Sequence, residues 1–282
     1  MTLSNLDSQL QNNPLEYRSI LTIPPKINFG LELELEGVNI GDVHRAVNTE
    51  LGNNWIIKVD DSLEKGKNAE IVTPVFQNRK QTWILLKKLG TLLEKLNPTY
   101  DNCSFQINFD GTLLPNLDDR IRFIKLFAMY EDIIYRFSQG EDGKYRESLE
   151  TYAYPIILAL KSCQGYGKDT IHDFFSDNKR YGLVFKTQKK NLIEFRTPNM
   201  TSNPILWQNY ITTFYYLIKF ATSKKYPKKE IDEYIDKFMS LYLLERYEHL
   251  RTDKALKLSS MIFPNKQDQL YFMNQYIGKT KQ

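Results

Sequence analysis

Apolar and charged positions alternate most strictly at the stretch 28–37, where Leu31, Leu33 and Leu35 interleave with Glu32, Glu34 and Glu36. A period of two is that of a half-buried strand, and it puts three carboxylates on one face. Glutamate is a poor strand former, and same-face neighbours along a strand lie only about 7 Å apart. Something must offset that crowding. Water does so if the face is solvated; divalent cations do so if it is a site, because hard ions take carboxylate oxygens.

The rest of the chain divides by the same reading of periodicity. Residues 1–25 are polar up to Pro24 and Pro25 and predict a loosely ordered lead-in. Ile40, Val43, Val47 and Leu51 recur at helical spacing, with Gly52 as a stop. Strands are predicted over 55–60, 69–73 (closed by Pro74), 103–110, 181–185 and 192–196, the last two as a hairpin. Helices are predicted over 80–96, 117–137, from Pro204 through Phe220, over 228–245 and near residue 282, whereas 161–178 shows no regular pattern. The aromatic run 210–220 predicts a helix packed on a sheet.

Composition adds boundaries. With 282 residues and 41% hydrophobic content, the chain can build a full core. Its 38 Lys+Arg against 34 Asp+Glu give +4, too little to imply nucleic acid, and the basic stretch 223–229 reads as a solvated helix connection. Cys103 and Cys163 suggest neither a disulfide framework nor a cysteine metal site, and a reducing, cytoplasmic location is expected. The N-terminus lacks a signal-peptide layout, and no membrane partner is expected. The three histidines, His44, His172 and His249, fall in no motif and read as surface or helix residues.

The predicted strands carry Glu32, Glu34, Glu70, Glu194 and Arg196 on polar faces. Paired into one antiparallel sheet, they give an α+β fold with helices over the apolar face and a polar bowl on the other. Four glutamates in such a bowl disfavour joint ionisation unless cations neutralise them. Two Mg²⁺ or Mn²⁺ ions would do so and offer sites for nucleotide phosphates, with Arg196 stabilising a transferring phosphoryl group.

In order, Phe29 to Glu34, Asp60 to Ser62, Glu70 to Pro74, the strand after Cys103 and Ile193 to Pro198 resemble the amidoligase family, related to glutamine synthetase and glutamate-cysteine ligase. The resemblance spans about 26–220 and leaves 221–282 as a C-terminal helical extension. It implies an ATP- and Mg²⁺-dependent ligase: ATP phosphorylates a carboxylate, and an amine then gives the amide, ADP and phosphate. It further implies Glu32, Glu34, Glu70 and Glu194 as metal ligands. Arg196, Arg146 and Asp60 become catalytic candidates, and Ser62, Arg196, Gln106 and Asn108 cofactor-binding ones. The substrates would be a small-molecule or peptide carboxylate and an amine donor. One departure stands out. Where the family strand commonly reads Gly-x-His-Val-His, this chain has Gln106 and Asn108 in place of the two histidines. Amides offer oxygens and hydrogen bonds but carry no protons.

Two rivals remain open on sequence alone. A scaffold that kept the sheet and lost the chemistry predicts no nucleotide-dependent turnover. A metal-dependent nuclease predicts cleavage without ATP, although Val72 stands where a lysine two residues after Glu70 would be expected.

Overall fold

The structure is a computed structural model that describes residues 6–63, 66–141, 143–163, 165–188, 190–238 and 249–278. Its centre is an antiparallel sheet. The strands are β1 (Asn28–Glu36), β2 (Ile56–Lys58), β3 (Asn68–Val72), β4 (Phe76–Gln77), β5 (Phe105–Asp110), β6 (Leu183–Lys186) and β7 (Leu192–Phe195). They run in the order β2-β3-β1-β5-β7-β6, with β4 paired to the start of β1. The hairpin β6–β7 forms as the sequence predicts, shifted so that β6 extends to Lys186.

Strands β1, β5 and β7 bury the apolar positions that the pattern marked. Phe29, Leu31, Leu33 and Leu35 of β1, Phe105, Ile107 and Phe109 of β5, and Ile193 and Phe195 of β7 are all at most 1% exposed. Helices cover this face: α2 (Ile40–Leu51), α3 (Lys80–Leu96), α4 (Leu117–Phe137) and α8 (Pro204–Ala221). The aromatic run of α8 packs against the sheet as expected, with Phe214 stacked on Phe195 at 4.0 Å and Trp207 on Phe105 at 5.5 Å. Trp83 of α3 stacks on Phe29 at 5.7 Å. Helix starts follow ordinary capping chemistry. Asn39, Asn116 and Asn203 accept backbone N–H groups of α2, α4 and α8, and Pro204 occupies a first-turn position that needs no donor.

Three segments depart from the sequence reading. Residues 6–27 are not a loose lead-in. They open with α1 (Leu6–Gln11) and bury Leu21 and Ile23, and the side chain of Asn78 holds the backbone of both. Within the irregular stretch 161–178 lie the end of α6 (Ile157–Ser162) and α7 (Lys168–Phe174), too short to show a period. The C-terminal helices Thr252–Ile262 and Lys266–Ile277 form a second layer on α4 and α8 rather than an appendage. Phe272 meets Phe137 at 4.8 Å, and Gln275 joins Asn209 to the carbonyl of Phe137. Of the helix expected over 228–245, α9 (Lys228–Lys237) is present, and 239–248 lie outside the described residues. Among the described residues no helix is long and apolar enough to cross a membrane.

Candidate active site

The uncovered face of the sheet carries the polar alternates, and strand register decides which of them meet. Glu34 of β1 lies opposite Glu70 of β3, Glu32 opposite Gln106 of β5, and Asn108 opposite Glu194 of β7. Lys58 of β2 lies opposite Glu70, and Lys186 follows two residues after Val184, the partner of Glu194. Directly opposed residues share a face at about 5 Å, so the register alone gathers four carboxylates, two amides and two lysines.

These groups form a nearly continuous network. Glu34, 5% exposed, accepts the Ser104 N–H at 2.6 Å and the Gln106 amide at 2.9 Å. The Gln106 carbonyl oxygen accepts from Arg196 at 2.9 Å, and Arg196 also reaches Glu194 at 3.0 Å. Lys186 ion-pairs with the other oxygen of Glu194 and lies 3.3 Å from Glu32. Glu32 accepts the Asn108 amide at 2.8 Å, and Lys58 pairs with Glu70 at 2.8 Å. Of the two amides, Gln106 bridges Glu34 and Arg196, whereas Asn108 donates to Glu32 alone.

Electrostatics sets one pair apart. The carboxyls of Glu32 and Glu70 are neighbours in the wall of one cavity, and Glu70 Oε1 is buried with no hydrogen-bond partner among the described residues. Burial, together with the charge of Glu32, pushes Glu70 up to about 8 despite Lys58. Burial acts on Glu32 in the same direction, but Lys186, Glu70 and Asn108 outweigh it and hold Glu32 below the usual carboxylate range. At neutral pH the pair thus keeps a proton on Glu70. Both lysines stay charged: burial opposes their charge, yet their glutamate partners raise Lys58 and Lys186 above the usual value.

The face opens into a cavity of about 490 Å³ whose wall includes Glu32, Glu34, Glu70, Gln106 and Arg196, with Lys58, Lys179, Lys186 and Tyr152. Asp60 and Ser62 lie at its rim. There Asp60 closes a tight turn by accepting the N–H and hydroxyl of Ser62, and its own N–H is held by Asn68. A second cavity of about 510 Å³ adjoins it, sharing Glu34, Ser62 and Tyr152.

Arg146 is set apart from the other candidates. Its guanidinium donates to the carbonyls of Arg196, Thr197 and Pro198, to Asn199 Oδ1 and to Ser148. Burial lowers it to about 10, against the pull of Glu34. These bonds fix the chain just after β7, and the Arg196 backbone N–H donates in turn to the carbonyl of Gly182 at 2.9 Å. Gly182 has no room for a side chain, because a Cβ there would come within 2.3 Å of the Tyr135 hydroxyl oxygen. Of the histidines, His44 and His249 are exposed and His172 on α7 accepts from Arg120 at 3.0 Å, all away from the cavity.

Hard-oxygen donors of the kind a divalent ion takes stand in the cavity wall. Glu32 and Glu70 are a hard-oxygen pair already holding a proton, and Mg²⁺ is commonly bound by one or two carboxylates with substrate phosphates completing its shell. Glu34 accepts from Ser104 and Gln106, and Glu194 is ion-paired with Arg196 and Lys186. Among the described residues no three acidic, histidine or cysteine side chains are grouped to hold a metal. Sequence reasoning missed Lys58 and Lys186. The first sits inside a predicted strand, and the second one residue beyond one, so counting register back from the hairpin turn would have placed Lys186 beside Glu194.

No family model matches the sequence, and no curated protein matches it. Among solved structures, one described as apo GmaS without ligand matches with a TM-score of 0.44 and 11% identity. The match covers 98% of this chain and 71% of that one.

Proposed function

We propose that the polar face is the active site of an ATP-dependent carboxylate-amine ligase that joins a small-molecule or peptide carboxylate to an amine donor. The observation that carries this reading is the gathering of Glu32, Glu34 and Glu70 with Lys58, Lys186 and Arg196 in the wall of one cavity. The ordered sequence motifs support it independently. Bound Mg²⁺ would neutralise phosphate charge and polarise the γ-phosphoryl group. Glu32 and Glu70 would hold the ion. Arg196, fixed by Tyr152, Gln106 and Glu194, would keep its positive charge toward the phosphoryl group. The Asp60 and Ser62 turn would position substrate or nucleotide at the rim. The carboxylate substrate attacks the γ-phosphorus and releases ADP; the amine then attacks the acyl carbon and releases phosphate.

Calorimetric titration with ATP tests the proposal. Metal-dependent binding is expected between about −8 and −4 kcal/mol, the range from micromolar to millimolar, weakened at least about tenfold in Glu70→Gln. Equal binding with and without Mg²⁺, or none, rejects it. A second reading, a binding protein that retains the sheet without the chemistry, is favoured by the pairing of Glu34 and Glu194 with protein donors. It expects no ADP release with carboxylate and amine pairs that the first reading expects to be turned over.

A further inference from the structure

We propose that Lys186 is a built-in counter-cation that fills the place of a second divalent ion between Glu32 and Glu194, so that this face takes one ion rather than two. The proposal rests on the ligase reading only for the single ion at Glu32 and Glu70. The role of Lys186 stands on its own geometry.

Glu32 and Glu194 belong to β1 and β7, the two neighbours of β5, and one ammonium touches both. Glu194 is fully buried, and such a carboxylate is stable only with a compensating charge. Arg196 serves one of its oxygens and Lys186 the other. Lys58 is no equivalent: its side chain is half exposed, and Glu70 is its ion-pair partner.

Asn108 shows what the ammonium leaves undone. It lies on β5 directly opposite Glu194 and donates its amide to Glu32. It is 7% exposed, yet its Oδ1 has no hydrogen-bond donor among the described residues. An unpartnered buried carbonyl oxygen is costly. Two carboxylates and one amide oxygen are a hard-oxygen set of the kind that Mg²⁺ or Mn²⁺ takes. Lys186 supplies a positive charge there without satisfying the third oxygen. The Lys186 ammonium thus supplies the positive charge between the two carboxylates.

The test is Mn²⁺ binding to the full chain, read from the free-ion electron paramagnetic resonance signal without nucleotide. Lys186→Met is expected to bind one Mn²⁺ more than the unaltered chain, at least tenfold tighter than any background ion. Adding Glu194→Gln to that variant should remove the extra ion. Lys186→Gln is the second variant, used if circular dichroism shows that the methionine variant does not fold. Two results overturn the proposal: a folded Lys186 variant with no added ion, or loss of an ion on Glu194→Gln in a chain that keeps Lys186. Should the unaltered chain bind no Mn²⁺ while Lys186→Met binds one, the role of Lys186 holds and the ion at Glu32 and Glu70 falls. The two readings therefore fail separately.

Discussion

The two faces of the sheet are made by the same strands but solve opposite problems. On the covered face, Phe105, Ile107, Phe109, Ile193 and Phe195 meet aromatic and aliphatic groups from α3, α4 and α8, and their attraction is non-directional. A neighbour displaced by an ångström still contributes. On the open face, Glu34, Gln106, Arg196, Glu194, Lys186 and Glu32 satisfy one another in series, each by a directed bond. There a missing member leaves its neighbours with buried charge. The covered face thus specifies that the chain folds, and the open face specifies one register of β1, β5 and β7, because a one-residue slip would put these charges into the core.

The sharpest way to break the contrast is on the covered face. Phe195→Ala removes a ring stacked on Phe214 and touched by Phe123 and Phe127. A loss of about 3–5 kcal/mol is expected in chemical denaturation, and a loss under about 1 kcal/mol would remove Phe195 from the core account. Arg146→Ala comes next. It strips donors from three backbone carbonyls and Asn199, at an expected cost of about 3 kcal/mol, given roughly 1–3 kcal/mol for each buried acceptor left unpaired. Unchanged stability would show that Arg146 is free for chemistry instead of holding the chain after β7.

The smallest effect is one of pH. Because the folded pKa of Glu70 lies at about 8 and its ordinary value is 4.5, the folded chain binds a proton there that the unfolded chain has lost. This contribution is fully present below about 4.5 and falls away as pH rises through 8. In urea denaturation with chelator present, the stability of the original chain relative to Glu70→Gln should therefore fall from pH 5 to pH 8. A flat difference over that window would show that the pair holds no proton.

Much of this was legible beforehand because alternation is a local property. The Leu and Glu positions of 31–36 name both the strand and its two faces, and the helices over 40–51, 80–96 and 117–137 match those observed. The gathering of Glu32, Glu34, Glu70, Glu194 and Arg196 on one face also follows from parity once the strands pair. What parity could not tell is the relative sliding of strands. It hid Lys186 from Glu194, and it allowed a bare cluster of glutamates to be expected where the lysines, Arg196 and the amides neutralise it. Arg146 was unreadable for another reason: its partners are backbone carbonyls, which carry no sequence signature. The burial of residues 6–27 was missed because polar composition describes side chains, whereas Asn78 and Gln208 hold that segment by its main chain.

The anchoring of that segment has a consequence in time. Arg18 and Thr22 are tied to Asp268, and Asn274 donates to the carbonyls of Leu10 and Asn13. Arg18 precedes its partner by 250 residues. On a ribosome adding about 5–20 residues per second, the early segment leaves the tunnel at least ten or so seconds before Asp268 is made. Until then Leu21 and Ile23 have their Asn78 anchor but no closing clasp, so a nascent chain halted before residue 268 should offer this strap to a protease that the finished chain resists.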